Sequence, residues 1–182
     1  MVVTLDRLPR IIELTEYGGN YTTYIDAVYE VFSRDFIAHR ASFGSNRLRL
    51  KFNPLYQDRA YTFYHMTHEG KDEQNRTPDL RRCERMPWAR PTIEVFPPKD
   101  VKLWEQMRGS SHRICICLEV DTGENYYVIL DVRKTYVLLW TAFYAEFSHQ
   151  NRKKAKEYET WKRNNPDITT PDALVSMIQS KL

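Results

Sequence analysis

The chain is short of cysteine, of glycine and of long apolar runs, and each shortage removes a class of protein. Its three cysteines, Cys83, Cys115 and Cys117, are few and odd in number. That argues against a disulfide-stapled secreted scaffold and for a reducing compartment. No two-pair cysteine pattern of a zinc module is present. Six thinly spread glycines leave no Gly-rich phosphate loop, no dinucleotide fingerprint and no Gly-x-Ser-x-Gly elbow. The longest nearly apolar run, residues 136–145, falls far short of the roughly 20 residues a membrane helix needs. The first fifteen residues carry Asp6, Arg7, Arg10 and Glu13, so no signal-peptide core is expected. Excess charge is scarce as well: the net charge is +3 and the pI about 8.7. Such a balance is compatible with an anionic partner without requiring one. A cytoplasmic protein with no membrane association is expected.

Aromatic and apolar residues are plentiful. Hydrophobic residues make up 42% of the chain, and its 12 tyrosines outnumber the glycines, so a packed core rather than low-complexity disorder is expected. The length of 182 residues fits one domain. The pattern divides it into a leader (1–19), a core (20–163) and a helical tail (164–182). Asn20 is placed to cap a helix over residues 21–38, where Tyr21, Ile25, Val28, Phe32 and Phe36 recur at helical spacing and Glu30 can pair with Arg34. Residues 47–52 alternate basic and apolar, which predicts a strand. The β-branched and aromatic stretches 61–67 and 92–96 predict two more. Between them Thr77 and Pro78 open a short helix to Arg85, which Pro87 ends.

Residues 112–120 alternate strictly, with Ile114, Ile116, Leu118 and Val120 on one face. Tight turns at 121–125 and at Lys134-Thr135 then separate strands 126–133 and 136–145. This predicts a three-stranded antiparallel meander, its last strand central because it is apolar on both faces. Cys115 and Cys117 share one face as core thiols. Ser148 is placed to cap a basic helix over 148–163 with an apolar stripe of Ala155, Tyr158 and Trp161. Thr170-Pro171 starts a last helix bearing Leu174, Ile178 and Leu182, read as a loosely docked tail. The fold class is α+β.

Four constellations carry candidate chemistry. His65, His68 and Glu69 gather at the end of the expected strand 61–67. In a strict strand the two histidines point to opposite faces, so a shared site needs a turn after Thr67. The order His-x-x-His-Glu matches neither common zinc-protease pattern, and further ligands are lacking. Structural histidines are the plainer reading, though Tyr61 and Phe63 beside His65 can tune its pKa. The stretch 76–90 holds Arg76, Arg81, Arg82, Arg85 and Arg90 against only Asp79 and Glu84, followed by Trp88. Arginine suits bidentate phosphate binding, and a tryptophan can stack on a base. A solvated helix face with a core tryptophan is the equal alternative. The third group is Arg133, Lys134, Thr141 and Tyr144 on the last hairpin. Thr141 is polar within an apolar strand, where it can simply bond to backbone. The fourth is the basic helix, with Arg152, Lys153, Lys154, Lys156, Lys162 and Arg163 against Glu157 and Glu159. It is either a solvated face or one wall of a phosphate-binding groove.

Three stretches carry a family resemblance: Tyr61-Thr62-Phe63-Tyr64-His65-Met66; Pro78-Asp79-Leu80-Arg81-Arg82-Cys83-Glu84-Arg85-Met86-Pro87-Trp88; and Leu139-Trp140-Thr141-Ala142-Phe143-Tyr144. In this order, behind an N-terminal helix and over roughly 21–161, the chain resembles the barnase–EndoU–colicin–RelE group of small RNases, in particular its phage-associated and toxin branches. Phe143 stands where the family ending has tyrosine, and Tyr144 follows it. The resemblance implies a curved antiparallel sheet and a metal-independent, cofactor-free endoribonuclease in which the RNA 2′-hydroxyl attacks the adjacent phosphate. It implies His65 as acid or base, Arg81, Arg82 and Lys134 holding developing charge, and Thr141 and Tyr144 adding hydrogen bonds. Arg76, Arg85, Trp88, Arg133, Arg152 and Lys156 would bind substrate. The implied partners are RNA, free or ribosome-bound, and a protein inhibitor or antitoxin. Two other classes remain open: a non-catalytic nucleic-acid-binding module, and a small interaction protein of a phage or defence system.

Overall fold

A computed structural model describes residues 2–145 and 147–182; Met1 and Glu146 lie outside the described residues. The N-terminal leader is part of the core. Val3 is fully buried and pairs with Val120 through a parallel bridge, its N–H donating to the Glu119 carbonyl at 2.8 Å. Helix α1 (Tyr21–Phe32) starts where Asn20 accepts a hydrogen bond from the Thr23 N–H, and it buries Tyr24, Ile25, Val28 and Phe32. A π-helical turn, Ser33–Ala38, carries the chain on and buries Phe36. Arg34 pairs with its neighbour Asp35 at 2.7 Å rather than with Glu30.

Two short strands, β1 (Ser42–Phe43) and β2 (Asn46–Arg47), form a hairpin. Gly44 sits there with φ +60°, and a Cβ on it would lie 2.6 Å from Asp172 Oδ1. The same oxygen accepts from the Ser45 N–H at 2.9 Å and the Ser45 hydroxyl at 2.7 Å, tying the hairpin to the C-terminal helix. Residues 48–52 do not make the expected strand. Only Arg49 reaches the main sheet, in a parallel bridge to Leu138.

Residues 61–67 form a helix, α2 (Tyr61–Thr67), not a strand. Six of its seven side chains are buried, so no polar face reveals the helical period, and tertiary burial overrides a local β preference of about 1 kcal/mol. Strands β3 (His68–Glu69) and β4 (Thr77–Pro78) pair and clamp the loop 70–76. Helix α3 (Leu80–Glu84) is capped by Asp79, which accepts from the Arg81 and Arg82 N–H groups; Thr77 and Pro78 lie in β4 instead. A 3₁₀ turn, Met86–Trp88, leads into α4 (Ala89–Glu94), which replaces the strand expected over 92–96. Pro91 lies within the first turn of that helix, where the missing N–H breaks no hydrogen bond.

The sheet has four strands, not three: β5 (Val101–Arg108), β6 (Ser111–Glu119), β7 (Asn125–Val132) and β8 (Val137–Ala145), antiparallel in that order. β8 is therefore an edge strand, not a central one. It is apolar on both faces because α2 packs on it and Arg49 bridges its outer edge. A bulge pairs Ile129 with Thr141 and Leu130 with Leu139, leaving Trp140 as the extra residue. One sheet face, with Ile114, Ile116, Leu118, Val128 and Leu139, joins the main core. The other, with Trp104, Cys115, Cys117, Tyr127 and Ile129, is covered by Tyr158 and Trp161 of α5 (Ser148–Asn164). Phe147, not Ser148, occupies the cap position of α5. Helix α6 (Pro171–Gln179), capped by Thr170, buries Leu174, Val175 and Ile178 in the main core, so it is firmly docked rather than a loose tail. Among the described residues no helix is long and apolar enough to cross a membrane.

Candidate nucleic-acid interface

Arg82 is the hinge of the site. Its Nε pairs with Asp79, which caps the same helix, at 3.0 Å. Its Nη1 donates to the backbone carbonyls of His65 (3.2 Å) and His68 (3.4 Å) and lies 3.5 Å from Thr141 Oγ1. Thr141 in turn donates to the His65 carbonyl at 2.7 Å. His65, Arg82 and Thr141 thus converge, but on the peptide group of His65 and not on its imidazole. The Arg82 guanidinium also lies 5.7 Å from the Phe143 ring centre, and Arg81 stands the same distance from Tyr144.

From there a groove of about 630 Å³ opens between α3, the end of β8 and the start of α5. Arg81, Arg82, Arg108, Lys153 and Lys154 line it together with the rings of Phe143, Tyr144 and Phe147; its acids are Glu69, Asp79 and Glu157. Phe147 is 57% exposed and stacks with His149 at 5.7 Å. A second cavity of about 560 Å³ between β5 and α5 shares Arg108, Lys153 and Glu157 with the groove and adds Lys156. It also adds Glu105, so the lining of the second cavity carries three cations against two carboxylates.

The His65 imidazole lies elsewhere, under the loop 70–76. It is 2% exposed and sits between the rings of Tyr61 (4.7 Å) and Trp140 (4.9 Å). Its Nε2 donates to Glu73 at 2.8 Å. Burial, then the Arg76 charge, lowers its pKa, while Glu73 works the other way. Glu73 resists ionisation through its own burial, but hydrogen bonds from Tyr61 and Arg76 hold its pKa at about 2. Burial and the bond to Glu73 raise Tyr61 to about 12. His68 is buried between Tyr56 and Tyr64, and burial with Arg76 lowers its pKa to about 4.

Several residues expected at a site are placed otherwise. Trp88 is 1% exposed and donates its indole N–H to the Pro9 carbonyl at 2.9 Å, so it cannot stack on a base. Arg85 is buried, held by Glu84 and Glu124 and packed against Tyr144 and Trp88. It is a structural cation. Arg76 is taken by Glu73 at 2.8 Å. Arg133, paired with Asp131 at 2.6 Å, and Lys134 stand at the β7–β8 turn. Ten residue steps along β8 and its approach separate Lys134 from Tyr144, roughly 30 Å of extended chain. Arg152 is exposed on α5 and lines neither cavity, whereas Lys156 lines the second.

Sequence reasoning missed Arg108, at the end of an unread strand, and Phe147, whose aromatic ring at the mouth of a basic helix was the available signal. It also missed Glu73, for which the sequence carries no signal. Among the described residues no three His, Cys, Asp or Glu side chains are grouped to hold a metal ion. No family model, no curated protein and no solved structure matches the chain.

Proposed function

We propose that this protein binds RNA along the groove between α3 and α5. The observation that carries the reading is the convergence of five cationic side chains and three aromatic rings on one open groove. Cations neutralise phosphates and release counterions, and the exposed Phe147 ring can stack on an unpaired base, so this mixture fits a single strand better than a protein partner. The test is fluorescence anisotropy with a single-stranded RNA oligomer over a salt series. The logarithm of affinity should fall with the logarithm of salt, with a slope of roughly −0.7 per contacted phosphate. A flat response favours the interaction protein of a phage or defence system instead.

A second reading adds catalysis: a metal-independent endoribonuclease using the RNA 2′-hydroxyl as nucleophile. One observation favours it. Arg82 joins the groove wall to the peptide of His65, so the peptide it holds also carries a titratable imidazole with a carboxylate partner. With Nε2–H donated to Glu73, Nδ1 is left as the basic nitrogen. The test is incubation with RNA in EDTA and analysis of the ends. Cleavage leaving cyclic phosphates supports the enzyme; intact RNA leaves the binding module.

A further inference from the structure

The loop 70–76 places one carboxylate where several donors meet. Glu73 Oε2 accepts from the Tyr61 hydroxyl and from His65 Nε2 at 2.8 Å, and Oε1 accepts from Arg76 Nη2 at 2.8 Å. Lys51 Nζ lies 4.3 Å from the centre of the Tyr61 ring, adding a second cation to the same corner. The donors are enclosed, and Glu73 is not: the side chains of His65 and Arg76 are 3% and 13% exposed, that of Glu73 50%. Glu73 thus closes the outer side of a preformed nest of donors.

Its mounting allows it to leave. The β3–β4 ladder pins both ends of the loop, pairing His68 with Pro78 and Glu69 with Thr77. Asp72 shapes the tip, accepting from the Gln74 N–H at 3.0 Å and from Asn75 Nδ2 at 2.7 Å. Rotation of the Glu73 side chain into solvent disturbs neither feature. Without that carboxylate the corner would hold two cations, the enclosed Arg76 and the exposed Lys51, with a phenol and an imidazole N–H. Two arms of a tetrahedral oxyanion offer the same acceptor geometry as a carboxylate, so a phosphate group matches this donor set.

We propose that Tyr61, His65 and Arg76 form an oxyanion site that Glu73 fills in the free protein and that a phosphate group of bound RNA takes over. The RNA half rests on the function proposed above; the oxyanion site itself does not. Bound in this way, a phosphate would sit against the His65 imidazole, and Glu73 would be its internal competitor. The account explains why a histidine in this position is shielded in the free protein.

The test is titration of the full-length protein with inorganic phosphate, read by the NMR signals of the His65 ring. Glu73→Ala removes the competitor and one unit of negative charge, which should tighten phosphate binding about tenfold. Adding Arg76→Ala to that variant should abolish the gain. Glu73→Gln keeps the loop contacts and should show a smaller gain in the same direction, which guards against misfolding of the alanine variant. Equal phosphate affinity in wild type and both Glu73 variants would overturn the site, as would a gain that survives loss of Arg76. A second arm uses a single-stranded RNA oligomer. A shift of the His65 ring signals in Glu73→Ala, with tighter binding, supports the takeover by RNA. RNA that binds through Arg81 yet leaves those signals unmoved overturns the RNA half while the groove reading stands. RNA that does not bind at all removes the groove reading and leaves the phosphate result to decide the oxyanion site.

Discussion

His65 and His68 show how little a residue's identity says about its work. Both histidines are legible in the sequence as candidates. Their surroundings are not, because Glu73 reaches His65 from a loop with no periodicity, and the peptide of His65 is tied to a strand 76 residues away. If the catalytic reading holds, His65→Ala should lower cleavage by ~10²–10⁴, far more than any loss of RNA affinity; the check is single-turnover cleavage at saturating protein alongside anisotropy. Unchanged cleavage would move the chemistry to another group. His68 makes a separate prediction about pH. Its folded pKa of about 4 lies below the ordinary value of 6.5. Between those values the unfolded chain binds more protons, so stability rises with pH there. The contribution is complete above pH 6.5 and is lost as pH falls through about 4, a change of order 3 kcal/mol. Urea unfolding at pH 7 and pH 4 should show the loss, and His68→Phe, which keeps a ring between Tyr56 and Tyr64, should reduce it. The Glu73 window runs from 4.5 down to about 2, so it lies mostly below that of His68.

The elements that could be read are those with a clear period or with tight turns at their ends. Ile114, Ile116 and Leu118 alternate with partly exposed or smaller neighbours, and short turns follow, so β6, β7 and β8 stand out. α1 stands out for the same reason at the helical period, and α6 through Thr170-Pro171. α2 does not, because burial on nearly every side removes the contrast that periodicity needs, and its β-branched and aromatic residues then point to a strand. β5 is not legible because Lys102, Glu105 and Arg108 break its alternation. The edge position of β8 is a matter of which neighbours it lacks, and no strand's own sequence states that. Leu139 tests what covers this edge. It is fully buried despite its place at the sheet margin. Leu139→Ala should destabilise by ~2–5 kcal/mol in urea unfolding, because α2 and the Arg49 bridge close over it. A near-neutral effect would mean that this cover is loose. Ile178→Ala in α6 should cost a similar ~2–5 kcal/mol, against the small loss expected of a weakly held tail.

For the whole molecule, a net charge of +3 is too small to declare a partner. What matters is placement: residues from α3, the end of β5 and α5, far apart in sequence, bring Arg81, Arg82, Arg108, Lys153 and Lys154 to one groove beside Phe143, Tyr144 and Phe147. The arginine cluster and the basic helix were each legible; their meeting was not, since it depends on α5 crossing the sheet face and on a strand that went unread. The charge rich in the sequence but distant from the groove, Lys134 at the β7–β8 turn, separates location from mere charge. The direct measurement is the affinity of one single-stranded RNA oligomer for wild type, for Arg81→Glu with Lys153→Glu, and for Lys134→Glu, all at the same salt. The groove account predicts that the double reversal weakens binding at least about tenfold while Lys134→Glu stays within about twofold. Equal losses in the two variants, or no RNA binding by the wild type, would contradict it.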